Sequence, residues 1–133
     1  MQVIVRSFNP AKDAGIILSS YPKGVYYGSY LPINPRNDYQ IKINWFKNFY
    51  EKVQQQFKTS TITVACVANN PDFIIGYCIS TGPVLEWVYV KKEYRFNNVA
   101  TLLVKQHHTN IYANITKVGA AILQKKGLID ATE

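Results

Sequence analysis

The feature that most restricts the fold is the run Val84–Val90, VLEWVYV, in which Glu86 is the one charged residue. A strand that is apolar on both faces has to be covered on both sides, as a central strand of a sheet is. Strict alternation would place Leu85, Trp87 and Tyr89 on one face. It would place the other residues of the run on the opposite face: Val84, Glu86, Val88 and Val90. The sequence therefore predicts a central strand with a layer packed on each side.

The first half of the chain has the patterns of one strand and two helices. Gln2–Arg6 alternates like a strand. Asn9 is suited to cap a helix and Pro10 to begin one, and the apolar residues that follow predict a helix to about Ser20. Apolar residues at three- and four-residue spacing predict a second helix from about Asp38 to Lys58.

The second half changes to the periodicity of strands. Its predicted elements are a hairpin of Thr61–Val67 and Phe73–Ser80 around a turn at Asn69–Asp72, the central strand, a helix from about Asn98 to His108, a weaker strand Asn110–Thr116, a helix Val118–Lys126 ended by Gly127, and a closing strand LIDATE. The order β-α-α-β-β-β-α-β-α-(β) predicts a mixed α/β fold of three layers. The length of 133 residues is that of a single domain, 1–133.

The balance of charge favours an anionic partner. The chain has 15 Lys and Arg against 8 Asp and Glu, a formal net charge of +7. Such a surface attracts nucleic acid, acidic protein surfaces and phosphorylated cofactors. The longest basic runs are pairs, and no nucleic-acid-binding motif stands out. Since no apolar run is long enough to span a bilayer, we expect a soluble, cytoplasmic protein without a membrane partner.

The residue types that most often bind metals are few. Cys66 and Cys78 fall in predicted strands, where buried free thiols are expected in a reducing compartment. His107 and His108 end a predicted helix, where a cationic cap or plain exposure is expected. The sequence therefore predicts no metal site.

A motif follows the central strand directly. Arg95 opens and Ala100 closes a stretch of the pattern Arg/Gln-x-x-Gly-x-Gly/Ala, with Asn98 in the place of the central glycine. Together with the order of elements, this stretch resembles the GNAT superfamily of acyl-CoA N-acyltransferases over nearly the whole chain. The resemblance is strongest to short GNAT-like proteins of tailed bacteriophages, through Ser19-Ser20-Tyr21 and the Tyr-Val-Lys ending of the fourth strand. It implies a location in the host cytoplasm or the virion.

The resemblance implies acetyl-CoA or another acyl-CoA as cofactor, held by main-chain groups. The end of the fourth strand would pair with the pantetheine arm at Val88, Tyr89 and Val90. The loop would hold the pyrophosphate at Arg95, Phe96, Asn97, Asn98, Val99 and Ala100. Asparagine tolerates left-handed φ better than other residues with a side chain, so we expect Asn98 to keep the path of the loop.

The candidate general base is Glu86, because a carboxylate in an apolar strand can take a proton from an acceptor amine. The alternative is a glutamate bonded to a neighbouring backbone group or to a lysine. The tyrosine that the family often uses as proton donor is replaced by Leu123, and the asparagine before its helix by Thr116. The chain therefore keeps the outline of the family's last helix without that proton donor.

A segment rich in Gly, Pro and Tyr, Tyr21–Tyr39, predicts an ordered loop between the first two helices. The resemblance places this loop beside the acceptor. Four of its tyrosines are candidate contacts to a substrate or partner: Tyr21, Tyr26, Tyr27 and Tyr30. The alternative is a lid of tyrosines packed over the second helix.

Three functions stay open. The first is an active N-acyltransferase that binds acyl-CoA and an amine acceptor. The second is an inactive GNAT-like binding or structural protein that docks on a virion or host protein, which the two asparagines, Asn97 and Asn98, and the loss of the proton donor favour. The third is nucleic-acid binding through the basic surface and the tyrosine loop.

Overall fold

The structure, a computed structural model, describes residues 2–28, 39–95, 98–107, 109 and 111–112. Its elements in chain order are β1 (Val3–Ser7), α1 (Pro10–Gly28), α2 (Tyr39–Thr59), β2 (Thr61–Val67), β3 (Asn70–Thr81), β4 (Val84–Val90), a 3-10 turn (Lys92–Tyr94), α3 (Val99–Lys105) and β5 (Ile111–Tyr112). The predicted order is confirmed as far as β5. The predicted last helix and closing strand lie outside the described residues.

The strands form one mixed sheet in the order β1-β2-β3-β4-β5. Neighbours from β1 to β4 are antiparallel, and β5 runs parallel to β4. The pairing of β5 joins Ile111 to Val84 and Tyr112 to Leu85, at the beginning of β4. The predicted central strand therefore lies between two others.

Helices cover both faces of the sheet. One apolar cluster joins α1 and α2 to the sheet: Ile17, Tyr21, Val25, Phe49, Val53, Ile62, Val64, Ile74, Tyr77, Ile79 and Trp87. A second cluster joins α3 to the other face: Ala65, Ile75, Cys78, Leu85, Val90, Val99, Leu103 and Val104. The predicted fold of three layers is confirmed.

The beginning of α1 is fixed by a cap and a buried ion pair. Asn9 Oδ1 accepts a hydrogen bond from the Ala11 N–H at 3.0 Å. Asp13, 1% exposed, accepts two hydrogen bonds from Arg6 of β1, at 2.8 and 2.9 Å, and one from the Asn9 N–H at 2.7 Å. Burial alone would raise the pKa of Asp13, but these bonds outweigh burial and hold the pKa below its ordinary value. The ion pair therefore joins α1 to the first strand.

The loop predicted from Tyr21 is wrong for residues 21–28, because α1 continues to Gly28. Pro22 lies inside the helix and lacks the N–H that would bond to the preceding turn, a loss that usually ends a helix. Tyr21 and Tyr26 are fully buried, and their packing outweighs this local preference. The rest of the predicted loop, residues 29–38, lies outside the described residues.

The two cysteines are free and buried, as predicted. Cys66 lies on β2 and Cys78 on β3. Burial raises the pKa of the Cys78 thiol, so this group stays protonated at neutral pH and packs as a small apolar side chain.

Candidate functional site

A β-bulge in β4 sets the position of Glu86. Ile79 of β3 pairs with Trp87 while Ser80 pairs with Leu85, so Glu86 is the extra residue of the bulge. A bulge of this kind interrupts the alternation of a strand. Leu85 consequently packs with the α3 cluster, and Glu86 lies on the face of Trp87, toward α2. The prediction of strict alternation, which placed Leu85 beside Trp87 and Glu86 on the opposite face, is wrong.

Glu86 lies against two polar side chains of α2. Gln56 Nε2 donates a hydrogen bond of 2.5 Å to Glu86 Oε2, and Lys52 Nζ lies 3.9 Å from the same oxygen. The Glu86 side chain is 15% exposed, so its carboxylate is partly desolvated. The sequence pattern alone does not point to these two residues, although Gln56 follows the apolar Val53 by three residues and so shares its face.

An aromatic wall stands beside this carboxylate. The Gln56 amide also donates to Tyr21 OH at 3.4 Å, and the Tyr21 ring stacks on Trp87 with 5.3 Å between centroids. Gly24 allows α1 to approach this closely, because a Cβ there would lie 2.6 Å from the Trp87 ring. The wall and the carboxylate are thus held by the same α2 residue.

A second contact fixes α1 on the sheet near the wall. Ser20 Oγ and Tyr77 OH lie 2.7 Å apart. Burial raises the pKa of Tyr77, and the phenol stays protonated at neutral pH. In the Ser19-Ser20-Tyr21 segment, Ser19 is exposed, whereas the other two residues contact the core.

Of the four tyrosines predicted to contact a substrate or partner, two are core residues. Tyr21 and Tyr26 have no exposed surface and serve to pack α1. Tyr27 is 52% exposed, with the Lys42 ammonium 5.3 Å from its ring centroid. Tyr30 lies outside the described residues. Only Tyr27 among the described three offers its ring to a ligand.

The end of β4 leads into a tight turn before α3. Val88 and Tyr89 are half-buried and Val90 is buried. Arg95 Nε donates to the Val90 carbonyl at 2.9 Å, so this guanidinium folds back on the strand end. Asn98 has φ 61° and ψ 18°, which confirms the expected left-handed conformation.

Beyond the turn, α3 begins against the sheet. Val99 is buried and Ala100 is half-buried in the α3 cluster. Phe96 and Asn97 lie outside the described residues, so the described part of the predicted pyrophosphate loop is Arg95 with Asn98, Val99 and Ala100.

The expectation of an exposed or capping His107 is wrong. Its side chain is buried, with Nδ1 2.5 Å from Ser80 Oγ and Nε2 2.9 Å from Thr63 Oγ1. Helix α3 ends at Lys105, and the chain then turns back onto the α3 face of the sheet. The predicted helix continued to His108 and therefore did not include this turn. His108 lies outside the described residues.

Among residues 2–28, 39–95, 98–107, 109 and 111–112, no group of three or more His, Cys, Asp or Glu side chains is placed to hold a metal ion. No helix among them has the length and apolar character needed to cross a membrane.

Comparison with known proteins identifies the fold through solved structures. No protein-family model and no curated protein matches the sequence. A Pyrococcus furiosus protein named as an acetyl transferase matches with a TM-score of 0.59 and 12% identity, covering 95% of this chain and 92% of its own. The fold is a GNAT fold.

Two further structures agree with this GNAT fold. A GCN5-related N-acetyltransferase from Rhodopseudomonas palustris has a TM-score of 0.53 at 15% identity, over 80% of this chain and 63% of its own. A phosphinothricin acetyltransferase from Sinorhizobium meliloti, in complex with acetyl-CoA, has a TM-score of 0.51 at 15% identity, over 80% and 57%. This chain therefore spans less than two thirds of the length of these two relatives.

Proposed function

We propose that this protein is an acyl-CoA-dependent N-acyltransferase that transfers an acyl group to an amine. The observation that carries the proposal is the bulge of β4, which brings Glu86 to a half-buried position in a strand that leads into the left-handed Asn98 turn. The Sinorhizobium meliloti structure of the same fold contains acetyl-CoA, which supports an acyl-CoA as the donor.

The turn after β4 is suited to a phosphate-bearing donor. Glycine is the usual residue at positive φ, and Asn98 adopts that conformation with a side chain present. Main-chain N–H groups at such a turn bind anions. Lys91, Lys92 and Arg95 add positive charge around it. These residues fit a pyrophosphate, and Val88 to Val90 would bind the pantetheine arm through the main chain.

Glu86 would act as the general base. The amine nitrogen attacks the thioester carbon, a C–N bond forms, the C–S bond breaks, and Glu86 takes the proton that the amine loses. Gln56 would hold the carboxylate in place through its hydrogen bond. The thiolate would take its proton from water, since thiolates are tolerable leaving groups near their ordinary pKa.

Binding of acetyl-CoA is the first test. At a concentration about 100 times its Kd, acetyl-CoA should stabilise the folded protein by about 2.7 kcal/mol, seen as a rise in Tm. Acyl transfer to a panel of amines then tests the reaction. The absence of any rise in Tm at millimolar acetyl-CoA would rule out this donor.

Substitutions at Asn98 test the turn itself. Asn98→Ala should lower stability by about 1 kcal/mol, because alanine tolerates left-handed φ poorly. Asn98→Gly, the matched control, should retain stability and bind acetyl-CoA at least as tightly as the unmodified protein. Equal loss of binding in both variants would indicate that the Asn98 carboxamide itself contacts the ligand.

A second candidate function is a docking protein without turnover. The observation that favours it is an apolar surface on α2, where Ile43 is 42% and Tyr50 38% exposed on the same side as Phe46. For a phage protein the partner would be a virion or host protein, and the location the virion or the host cytoplasm. A stoichiometric complex lost on Ile43→Asp, in a protein that shows no acyl transfer, would support this function over the first.

A further inference from the structure

A lysine of α2 lies beside the proposed general base. Lys52 Nζ is 3.9 Å from Glu86 Oε2, and the flexible lysine stem can bring the nitrogen into direct hydrogen-bond contact with that oxygen. The Lys52 side chain is 47% exposed, whereas that of Glu86 is 15% exposed. The pair therefore combines an amine that solvent and ligands can reach with a carboxylate that is partly desolvated.

The position of the Lys52 ammonium is set by its neighbours on α2. Phe49 lies three residues before Lys52 and Gln56 four residues after it, so the three side chains share one face of the helix. The ammonium lies 5.4 Å from the Phe49 ring centroid, a cation–π contact. Gln56 donates a hydrogen bond to the Glu86 oxygen that Lys52 approaches. One face of α2 thus supplies the amine and also holds the carboxylate beside it.

We propose that Lys52 is itself an acceptor of the acyl group, so that the protein acylates its own side chain. An acceptor amine has to lie within reach of the general base, and the structure places the Lys52 amine there. This inference rests on the proposed acyl-CoA function and adds a modification site to it.

The reaction is the proposed transfer with an acceptor that belongs to the chain. The Lys52 ammonium gives one proton to Glu86, and the free amine attacks the thioester carbon. The C–N bond forms, the C–S bond breaks, and the nitrogen gives its second proton to the thiolate through water. The products are an amide at Lys52 and the thiol of CoA, and Glu86 returns its proton to water.

Attachment to α2 favours Lys52 over amines in solution. An acceptor held on the same molecule as the base has an effective concentration of roughly millimolar or more. Acylation removes the charge of Lys52, and with it the ion pair to Glu86 and the cation–π contact to Phe49. The modification therefore changes the surroundings of the proposed base.

Two other lysines are controls within the same molecule. Lys12 lies 3.6 Å from Asp72, whose side chain is 73% exposed, so Lys12 has an ion pair without a desolvated carboxylate. Lys47 is exposed on α2, five residues before Lys52. Chemical acylation by acetyl-CoA in solution should reach the three lysines at similar rates, whereas transfer assisted by Glu86 should favour Lys52.

Peptide mapping of the full chain by mass spectrometry tests the inference. With acetyl-CoA and no added amine, Lys52 should be acetylated about 100-fold faster than Lys12 and Lys47. The rate per molecule should not change with protein concentration, because the acceptor and the base belong to one chain. Protein purified from cells that contain acetyl-CoA should already carry this modification on a fraction of its molecules.

Two variants separate the acceptor from the base. Glu86→Gln keeps the hydrogen-bonding shape and should lower the rate at Lys52 to that of Lys12. Lys52→Arg keeps the positive charge and should remove the modification, while its matched control on the same helix, Lys47→Arg, should retain it. A rise in Tm with acetyl-CoA verifies that each variant is folded and still binds the donor.

Three results would overturn the inference. The first is acetylation of Lys52 at no more than the rate of Lys12 and Lys47. The second is an unchanged rate at Lys52 in Glu86→Gln, which indicates chemical acylation. The third is a rate per molecule that rises in proportion to protein concentration, which indicates transfer between copies.

Failure of the inference and failure of the proposed function give different results. Protein that acylates a free amine and leaves Lys52 unmodified retains the proposed function and loses the modification site. Protein that shows no rise in Tm with acetyl-CoA and acylates neither acceptor loses both.

Discussion

Two polar clusters lie on opposite faces of the sheet and differ in their surroundings. On the α2 face, Glu86 is 15% exposed and contacts an amide and an ammonium group. On the α3 face, His107 is 8% exposed, and its two ring nitrogens contact the hydroxyls of Ser80 and Thr63. A hydroxyl can donate or accept, so either tautomer of the ring is satisfied. The first cluster contains the proposed general base, and the second joins the end of α3 to two strands.

The difference shows that residue type is a weak guide to role. Histidine is the commonest general base, but this buried histidine is a structural link. Glutamate within a strand is usually paired with a neighbour, as this one is with Gln56 and Lys52, and the bulge also gives it a partly desolvated position beside an aromatic wall. The groups around each side chain, and not the residue type alone, distinguish the roles of Glu86 and His107.

The largest expected effect is on catalysis. Glu86→Gln should lower kcat for acyl transfer by about 100-fold or more, because it removes the proton acceptor while keeping the hydrogen-bonding shape. Thermal unfolding of the variant should resemble that of the unmodified protein. An unchanged kcat would show that Glu86 is not the general base. Both polar clusters would then have a structural role.

The next effect is on the stability in acid of the fold that carries both clusters. The pKa of Asp13 is below its ordinary value in the folded protein, so its contribution to stability is present above about pH 4 and is lost as the pH falls through the folded pKa. Asp13→Asn should flatten this acid loss in a series of Tm measurements. Arg6→Met, which leaves the buried carboxylate unpaired, should lower stability at pH 7 by about 3 kcal/mol.

The same series of Tm measurements can contradict the role given to Asp13. If Asp13→Asn and the unmodified protein lose stability in parallel below pH 4, another carboxylate controls acid unfolding.

The smallest expected effect is on the stability that His107 and its two hydroxyl partners contribute. His107→Leu should lower stability by about 2 kcal/mol, because the Ser80 hydroxyl is left buried without its partner nitrogen. Adding Ser80→Ala should recover part of the loss. The kcat of the folded variant should be unchanged, and a fall in kcat as large as that of Glu86→Gln would contradict the structural role.

Much of the fold follows from local pattern. The capped beginning of α1, the hairpin of β2 and β3, the central position of β4 and the buried thiols are all predicted correctly, because each depends on residues near one another in the chain. The left-handed Asn98 is expected from the resemblance, which places it where the GNAT loop has a glycine, and from the tolerance of asparagine for left-handed φ.

The candidate site is less predictable. Gln56 contacts Glu86 across 30 residues of sequence, and His107 contacts Thr63 across 44. Helix α1 passes Pro22 because Tyr21 and Tyr26 are buried against other elements. Helical spacing places Gln56 and Tyr21 on apolar faces, but it does not identify the distant residues that they contact.

The sequence by itself determined the order of strands and helices, since hydrophobic periodicity and caps act within a few residues. Only the tertiary structure decided which face carries Glu86, where α1 ends and that His107 is buried. The face of Glu86 depends on the register between β3 and β4, because a bulge of one residue reverses the face of a side chain. The other two outcomes depend on packing between segments that are distant in the chain.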